Sequence, residues 1–229
     1  MSTSFWTALE ARIAPYNLLT HPFYQAWSRG ELTRDDLCAY AAEYWHHVSA
    51  FPTYLSALHS RLPDSETRRE VLRNLAEEEG TDSQTARPHS DLWMDFATGM
   101  GATRTDVERH TVQPEMATLL ATFRAAMQEQ KPAAAMAALY AYESKVPQIA
   151  VTKAEGLANH YSADAATAKY FTLHQTADVA HAAVWRELID KELAADPAAA
   201  DATLDSAERA ARALWTALDG VERERQSRH

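Results

Sequence analysis

Two histidines and an aspartate, His174, Asp178 and His181, recur at positions i, i+4 and i+7 of the chain. In an α-helix these positions return to nearly the same face. The segment Asp164–Leu193 contains neither Pro nor Gly, so we expect it to form a single helix that Ser162 caps. Imidazole and carboxylate ligands on one face suit iron, manganese or zinc. The alternative is that these histidines are ordinary helix residues.

Further acidic and imidazole side chains lie on other apolar helical stretches. Glu143 is one of them, three consecutive glutamates at 77–79 end another predicted helix, and His89 follows shortly after. A carboxylate on an apolar helix face is costly to bury unless it is paired or bound to a metal. Helical carboxylate proteins hold two metal ions with side chains of this kind from several helices. The sequence therefore suggests six ligands for two divalent ions: Glu78, His89, Glu143, His174, Asp178 and His181.

A second arrangement remains open at this point. Ferritin-like sites use two Glu-x-x-His pairs and two single glutamates. Glu43 and His46 form such a pair, and Asp178 with His181 would be a degenerate second one. In the first arrangement, Glu43, His46 and His47 would not bind metal and would instead orient the ligands or act as polar groups that line a cavity.

Composition limits the classes of function. The chain has 229 residues, 46% of them hydrophobic, and a net charge of −10, which argues against nucleic acids and anionic membranes as partners. The lone cysteine, Cys38, excludes an internal disulfide and fits a reducing compartment. We see neither a signal peptide nor an apolar run of transmembrane length, and we expect a cytoplasmic protein.

The distribution of helix-capping residues and prolines along the chain predicts an all-α protein in a single domain over residues 1–229. Thr33 and Asp36 form a capping box, Pro132 suits the first turn of a helix, and Pro147 should kink the chain next to Glu143, whose carbonyl loses its usual donor. We expect a last helix after about residue 196 and a frayed, charged tail from Glu222. The predicted helices cover residues 5–16, 22–30, 34–61, 65–79, 90–97, 105–128, 132–161, 164–193 and 201–223.

These motifs resemble the haem-oxygenase-like di-metal oxidases, and within them the family of the chlamydial protein associating with death domains. The likeness rests on the order Glu, His, Glu, His-x-x-x-Asp-x-x-His and extends from about residue 5 to residue 195. The matching stretches are His21–Trp27, Glu43–His47, Asn74–Glu79, His89–Trp93, Tyr142–Gln148, Lys153–Leu157 and His174–His181.

The resemblance implies a seven-helix haem-oxygenase-like, thiaminase-like bundle without haem, with the same six residues as metal ligands. The interval between the first glutamate and His89 is longer here, because residues 81–88 look like a small insertion. Glu77 or Glu79 could therefore take the place of Glu78 as the first ligand.

The activity that the resemblance implies is oxygen-dependent formation of para-aminobenzoate for folate synthesis, in which the protein consumes its own side chains. A tyrosine would supply the aromatic ring and a lysine the amino group, and the matching positions are Tyr24 and Lys153. Tyr142, beside Glu143, would also belong to the catalytic site. The alternative is that Lys153 lies on the surface and Tyr24 only packs.

The leading expectation is therefore an oxidoreductase with two transition-metal ions, Fe/Fe or Fe/Mn, with dioxygen as co-substrate and an external reductant. We also expect it to form a homodimer. A second reading is a di-metal oxidase acting on an external small substrate, such as an amino acid or a fatty acid. A third is a helical interaction module without enzymatic activity.

Overall fold

The computed structural model describes residues 3–81 and 86–228, and these residues form helices and connecting turns without a β-strand. Short 3-10 turns lie at Ala14–Tyr16, Leu18–Thr20 and Pro197–Ala199. The α-helices are α1 (Thr3–Ile13), α2 (Pro22–Ser28), α3 (Arg34–His59), α4 (Ser65–Glu78), α5 (His89–Met100), α6 (Arg104–Glu108), α7 (Pro114–Ala126), α8 (Pro132–Glu143), α9 (Val146–His160), α10 (Lys169–His174), α11 (Ala177–Ala195) and α12 (Ala200–Arg228).

The alanine-rich helix α8 lies at the centre of the bundle. Nearly all its side chains are buried, and it packs against α7, α11 and α12. Small side chains allow neighbouring helices to approach it on every face. Its last residue, Glu143, is therefore carried into the interior. α12, which follows the stretch covered by the resemblance, contributes a long row of buried residues to the same core.

The kink predicted at Pro147 is a complete break. α8 ends at Glu143 and α9 starts at Val146, so the long helix predicted over residues 132–161 is divided. The amide of Ser144 still bonds to the Tyr140 carbonyl, whereas that of Lys145 bonds to Tyr142, only three residues back. The missing N–H of Pro147 explains why the helix does not continue through this point.

The helix predicted over residues 164–193 is also divided, and here the prediction was wrong. α10 ends at His174 and α11 starts at Ala177. Ser162 does not cap a helix: its backbone has a positive φ of 53°, and the helix begins seven residues later, at Lys169. His174 and Asp178 thus belong to different helices, and their spacing does not place them on one continuous face.

Two further boundaries differ from the prediction. The helix expected over 105–128 is interrupted before Pro114, where the amide of Gln113 binds the Glu43 carboxylate. The charged tail expected to fray is helical through Arg228, which forms an ion pair of 3.1 Å with Asp36 at the start of α3. Charged neighbours three and four residues apart support this last stretch.

The described residues form twelve α-helical segments, so the expected count of seven is not confirmed. Several expected helices are each divided in two by the breaks described above. Within the described part of the chain, no helix combines the length and the apolar character needed to cross a bilayer.

Candidate metal centre

The six predicted ligands meet in the interior as two groups of three. Within each group, one nitrogen or oxygen atom from each residue lies within 4.8 Å of the others, and all six side chains are buried. The first triad is Glu78, His89 and His174, and the second triad is Glu143, Asp178 and His181.

Helix ends place most of these residues. Glu143 ends the central helix, and the break at Gln175 and Thr176 sends His174 to one triad and Asp178 to the other. Such breaks let several helices direct polar groups to one point, which no single helix face could do. The remaining positions are Glu78 at the end of α4, His89 at the start of α5, and His181 in the second turn of α11.

In the first triad, the Nδ1 atom of His89 lies 3.0 Å from the Oε2 atom of Glu78. The Nδ1 atom of His174 lies 2.7 Å from the carbonyl oxygen of Tyr170. A carbonyl can only accept, so His174 donates through Nδ1 and presents the lone pair of Nε2. This arrangement is common for histidines that bind metal, because the backbone contact fixes the tautomer and the ring orientation.

In the second triad, the Glu143 carboxylate is held through both oxygens. The Nδ2 group of Asn74 donates to Oε1 at 2.8 Å, and the indole N–H of Trp185 donates to Oε2. The Nδ1 atom of His181 lies 3.3 Å from Glu143 Oε1 and 3.4 Å from Asp178 Oδ1. Asn74 and Trp185 thus fix the Glu143 carboxylate, and the Nδ1 atom of His181 faces both carboxylates of the triad.

The pKa shifts of two histidines show that the buried carboxylates of the triads favour positive charge beside them. Burial alone would lower the pKa of His181, but its contacts with Asp178, Glu143 and Glu77 raise that pKa above the ordinary value. Burial likewise opposes the charge on His89, yet Glu78 raises its pKa. Protons on these two rings counter the buried carboxylates in the metal-free protein. Metal ions would take over that role, and their binding would release protons.

The donor set fits a pair of divalent ions. The Nε2 atom of His89 and the Oδ2 atom of Asp178 are buried without a hydrogen-bond partner among the described residues. Such atoms are costly unless a ligand or an ion satisfies them. Three carboxylates and three imidazoles match the preferences of iron and manganese.

The glutamate cluster at the end of α4 resolves into three environments. Glu78 is buried in the first triad. Glu79 is exposed to solvent. Glu77 is about one third exposed, and its Oε2 atom lies 2.9 Å from the Nε2 atom of His181. Of the three carboxylates, only that of Glu78 belongs to a triad.

The ferritin-like alternative is not supported by the placement of its residues. Glu43 binds His110 and the amide of Gln113, which ties α3 to the segment before α7, and it belongs to neither triad. His46 is not part of a triad either. Glu43 is thus not placed as a ligand, and its influence on the metal centre stays a prediction.

His47 has a different environment. It is fully buried, its ring lies 5.1 Å from that of Tyr142, and both its nitrogens lack hydrogen-bond partners among the described residues. Burial, which outweighs the nearby charge of Glu78, lowers the pKa of His47 to about 3. His47 is thus a neutral ring beside the site, and its influence on the metal centre stays a prediction.

Tyr24 and Lys153 lie together in an aromatic chamber next to the triads. The Nζ atom of Lys153 is 4.3 Å from the centre of the Tyr24 ring and 4.5 Å from that of Tyr40. Lys153 also bonds to the Tyr40 hydroxyl, which lies 3.2 Å from the Tyr24 hydroxyl. The alternative of a surface lysine is excluded, because only 4% of Lys153 is exposed.

Close packing of α9 on α2 closes this chamber. The indole N–H of Trp27 donates to the Lys153 carbonyl at 3.2 Å. One turn later stands Gly156, where a Cβ atom would lie only 2.6 Å from the Trp27 ring. A larger residue would therefore push Lys153 away from the tyrosines. Burial in this setting lowers the pKa of Lys153 well below its usual range and raises that of Tyr24 above its own.

Tyr142 and Tyr170 connect the chamber with the metal-binding candidates. Both line the cavity around Lys153, and both line the small cavity among Glu78, Glu143, His174 and Asp178. Burial is the main cause that raises the pKa of each phenol well above its usual range. Two protonated phenols thus stand between the triads and the Tyr24–Lys153 pair.

Several residues of this site were missed by the sequence analysis. Asn74, Tyr170 and Trp185 each lie four residues from a predicted ligand, so helical periodicity could have indicated them. Tyr40 carries no such signal, because its role depends on how α3 packs against α2 and α9.

Comparison with known proteins agrees with this architecture. The family described as iron-containing redox enzyme matches residues 38–215. The protein named 4-aminobenzoate synthase in Chlamydia pneumoniae is 36% identical over 94% of this chain and 94% of its own length. The protein of the same name in Nitrosomonas europaea is 38% identical over 96% of this chain and 92% of its length.

The fold is shared more widely than the sequence. A solved structure of a TenA homologue from Pseudomonas syringae superposes with a TM-score of 0.80, over 96% of this chain and 93% of that one. Their sequence identity is 20%, so this likeness concerns the fold alone. It confirms the predicted all-α fold of the haem-oxygenase and TenA type.

Proposed function

Since the chain belongs to the family of iron-containing redox enzymes, we propose that it is a self-consuming 4-aminobenzoate synthase. The observation that carries this proposal is the position of the buried Lys153 amine, 4.3 Å from the ring centre of Tyr24 in an aromatic chamber beside the two triads. The names of the relatives from Chlamydia pneumoniae and Nitrosomonas europaea support the same product.

The product defines which atoms the protein must give up. 4-Aminobenzoate consists of a benzene ring, a carboxyl carbon and an amino nitrogen. The ring and Cβ of Tyr24 supply the carbons, so the Cα–Cβ bond breaks and Cβ is oxidised to a carboxylate. The nitrogen of Lys153 replaces the phenolic oxygen, which leaves as water, and the bond between this nitrogen and Cε breaks as Cε is oxidised to an aldehyde. The carbon is oxidised overall, so dioxygen serves as the electron acceptor and an external reductant completes the electron count.

The triads would hold the metal pair, for which we propose Fe/Fe or Fe/Mn. When bound, such a pair supplies the activation of dioxygen. The protein's own residues prepare the reactants. Burial keeps the Lys153 amine neutral, and a neutral amine has the lone pair that bond formation to carbon requires. Tyr40 holds this amine through its hydroxyl, and the chamber excludes water that would compete with it.

In this scheme, Tyr142 and Tyr170 link the metal centre with the reacting side chains. They line both cavities, so their phenols offer a route for electrons or protons between the triads and the reacting pair. Both phenols are protonated at neutral pH, because burial raises the pKa of each. Each phenol can therefore release a proton when its ring is oxidised by one electron.

The proposal is tested with protein that is reduced and loaded with iron, or with iron and manganese, without oxygen. Dioxygen is then added without any other substrate, and product, intact mass and peptide map are measured together. We expect at most a single 4-aminobenzoate per chain, with matching loss of mass at Tyr24 and Lys153. Many turnovers with both residues intact would show instead a true catalyst acting on an external substrate.

Substitutions at Tyr24 and Lys153 test which side chain supplies the ring and which supplies the nitrogen of the product. Tyr24→Phe should give no product, because the phenol that directs oxidation is gone. Lys153→Arg should also fail, because a guanidinium stays protonated. Tyr140→Phe and Lys169→Arg are matched controls outside the chamber and should still form product. Product from Tyr24→Phe but not from Tyr40→Phe would contradict the assignment of Tyr24 and make Tyr40 the source of the ring.

A further inference from the structure

The carboxylate of Glu77 contacts a predicted metal ligand, His181, through the ring nitrogen that faces away from the other two residues of the triad. Its Oε2 atom lies 2.9 Å from Nε2 of His181, whereas Nδ1 of the same ring faces Glu143 and Asp178 at 3.3 and 3.4 Å. The two nitrogens of His181 thus point to different partners. Only Nδ1 lies within the second triad.

This geometry indicates which nitrogen of the His181 ring carries the hydrogen and which one presents its lone pair to the triad. A carboxylate can only accept a hydrogen bond, so the contact with Glu77 places a hydrogen on Nε2. In the neutral ring the lone pair then lies on Nδ1, toward Glu143 and Asp178. A carboxylate behind a histidine ligand also makes the ligating nitrogen a stronger electron donor.

We propose that Glu77 is the positioning residue of the second triad, which holds His181 in the tautomer that binds metal through Nδ1. The inference rests on the proposed metal centre. It assigns the two adjacent glutamates at the end of α4 to different tasks: Glu78 is a ligand of the first triad, and Glu77 acts on the second through His181.

The surroundings of Glu77 fit an indirect role better than direct ligation. About a third of its side chain is exposed, and with Glu70, Arg73 and Asn74 it lines a surface groove that ends at His181. The six triad residues, by contrast, are all buried.

The first test reads the tautomer directly. Protein with ¹⁵N-labelled histidine is titrated with Zn(II), which is diamagnetic, and the ring nitrogens are followed by NMR. We expect His181 to keep its hydrogen on Nε2 and to bind zinc through Nδ1. Binding of zinc through Nε2 of His181 would overturn the inference.

The second test measures affinity at each triad in the same titration. Glu77→Leu should weaken zinc binding at His181 by about 10–100-fold, as losses of partners behind a ligand do. Glu77→Gln should lose less, because its amide oxygen still accepts a hydrogen bond. Binding at His89 and His174 should be unchanged in both variants. The matched control is Glu79→Gln, next to the triad but exposed, which should leave both triads as they are.

Two results would contradict the inference. Unchanged zinc affinity at His181 in Glu77→Leu would show that the contact does not matter. Complete loss of zinc from the second triad in both Glu77 variants would make Glu77 a ligand itself. Because the titration involves no turnover, failure to form 4-aminobenzoate would bear on the proposed function and leave this result standing.

Discussion

Lys153 has an unusual environment for its residue type. Its amine is surrounded by aromatic rings, and among the described residues it has no carboxylate as an ion-pair partner. Ring faces attract a cation, but removing the amine from water opposes the charge more strongly, and burial lowers its pKa well below the usual range. The same neutrality that the proposed chemistry needs carries a cost in stability.

The sign of this cost can be tested with Lys153→Met. Below the pKa of an unfolded lysine, about 10.4, the unfolded chain carries a proton that the folded chain lacks, so the free energy of unfolding falls as pH falls. Lys153→Met should therefore melt higher than the wild type at pH 7, with the difference shrinking toward pH 10. Each kcal/mol gained corresponds to roughly 2–4 °C in a chain of this size.

Thermal melts of both proteins between pH 6 and 10 measure this dependence. Lys169→Met, at an exposed position, is the matched control and should show no comparable change with pH. A Lys153→Met protein that is less stable than the wild type by the same amount at every pH would mean that Lys153 is charged in the folded state. The neutral-amine part of the proposed chemistry would then be wrong.

At the scale of single residues, the sequence indicated the residues of the triads well and the side chains that hold them poorly. His174, Asp178 and His181 attract attention because their types and spacing are improbable together, and a buried Glu143 demands a partner. The side chains that hold them, such as Asn74 and Trp185, are of ordinary types whose function lies only in their contacts. Helical periodicity places Asn74 and Trp185 near predicted ligands of their own helices, but their bonds to Glu143 depend on packing between distant segments.

At the scale of elements, the helices were largely predictable and their interruptions were only partly so. Pro147 indicates that α8 ends nearby, because proline lacks the backbone N–H that would continue the helix. Nothing comparable marks Gln175 and Thr176, since neither is Pro nor Gly, yet the chain breaks there. Tertiary packing overrides local preference at this point. The i, i+4, i+7 row therefore selected residues that the structure brings into the two triads, although the single continuous helix assumed for it does not exist.

The capping box of α3 is an element that the sequence predicted and the structure confirms. The Thr33 hydroxyl accepts from the amide of Asp36 at 3.1 Å, and the Asp36 carboxylate accepts from the amide of Thr33 at 2.9 Å. Thr33→Ala should lower the free energy of unfolding by about 1 kcal/mol. Thr33→Ser, which keeps the hydroxyl, should lose much less, and denaturant unfolding measures the difference.

The loss of stability in Thr33→Ala should come from α3 alone and should leave the metal centre unchanged. Thr33 lies at the first turn of α3, and the triads are built by other helices, so zinc content should be unchanged in Thr33→Ala. A variant that loses metal together with stability would show that the start of α3 is coupled to the metal centre. The Asp36–Arg228 ion pair, which joins this cap to the last helix, would be the route to examine next.

At the scale of the whole molecule, the metal centre and the stability of the bundle are linked. Residues from α4, α5, α8, α10 and α11 meet at the triads, so an ion bound there joins helices that are far apart in the sequence. The unfolded chain has no such arrangement, and binding to the folded state alone raises its stability. The metal-free protein instead relies on protonated histidines to counter buried carboxylates.

We therefore expect the melting temperature to rise with metal in two separable increments. At a free metal concentration about 100-fold above the dissociation constant, each site should add about 2.7 kcal/mol, or roughly 5–10 °C in a chain of this size. His174→Ala should remove the ion of the first triad and its increment, and Asp178→Ala that of the second. Elemental analysis and thermal melts on the same samples measure both quantities.

His160→Ala is the control for these variants, because His160 is exposed at the end of α9 and belongs to neither triad. It should keep both ions and both increments. Protein carefully loaded with iron or manganese that contains neither metal would refute the metal centre itself. Loss of both ions from either ligand variant would instead mean that the triads share their ions and fill as one unit. The separation that the break at Gln175 and Thr176 imposes on His174 and Asp178 predicts the opposite, because each triad keeps three donors of its own.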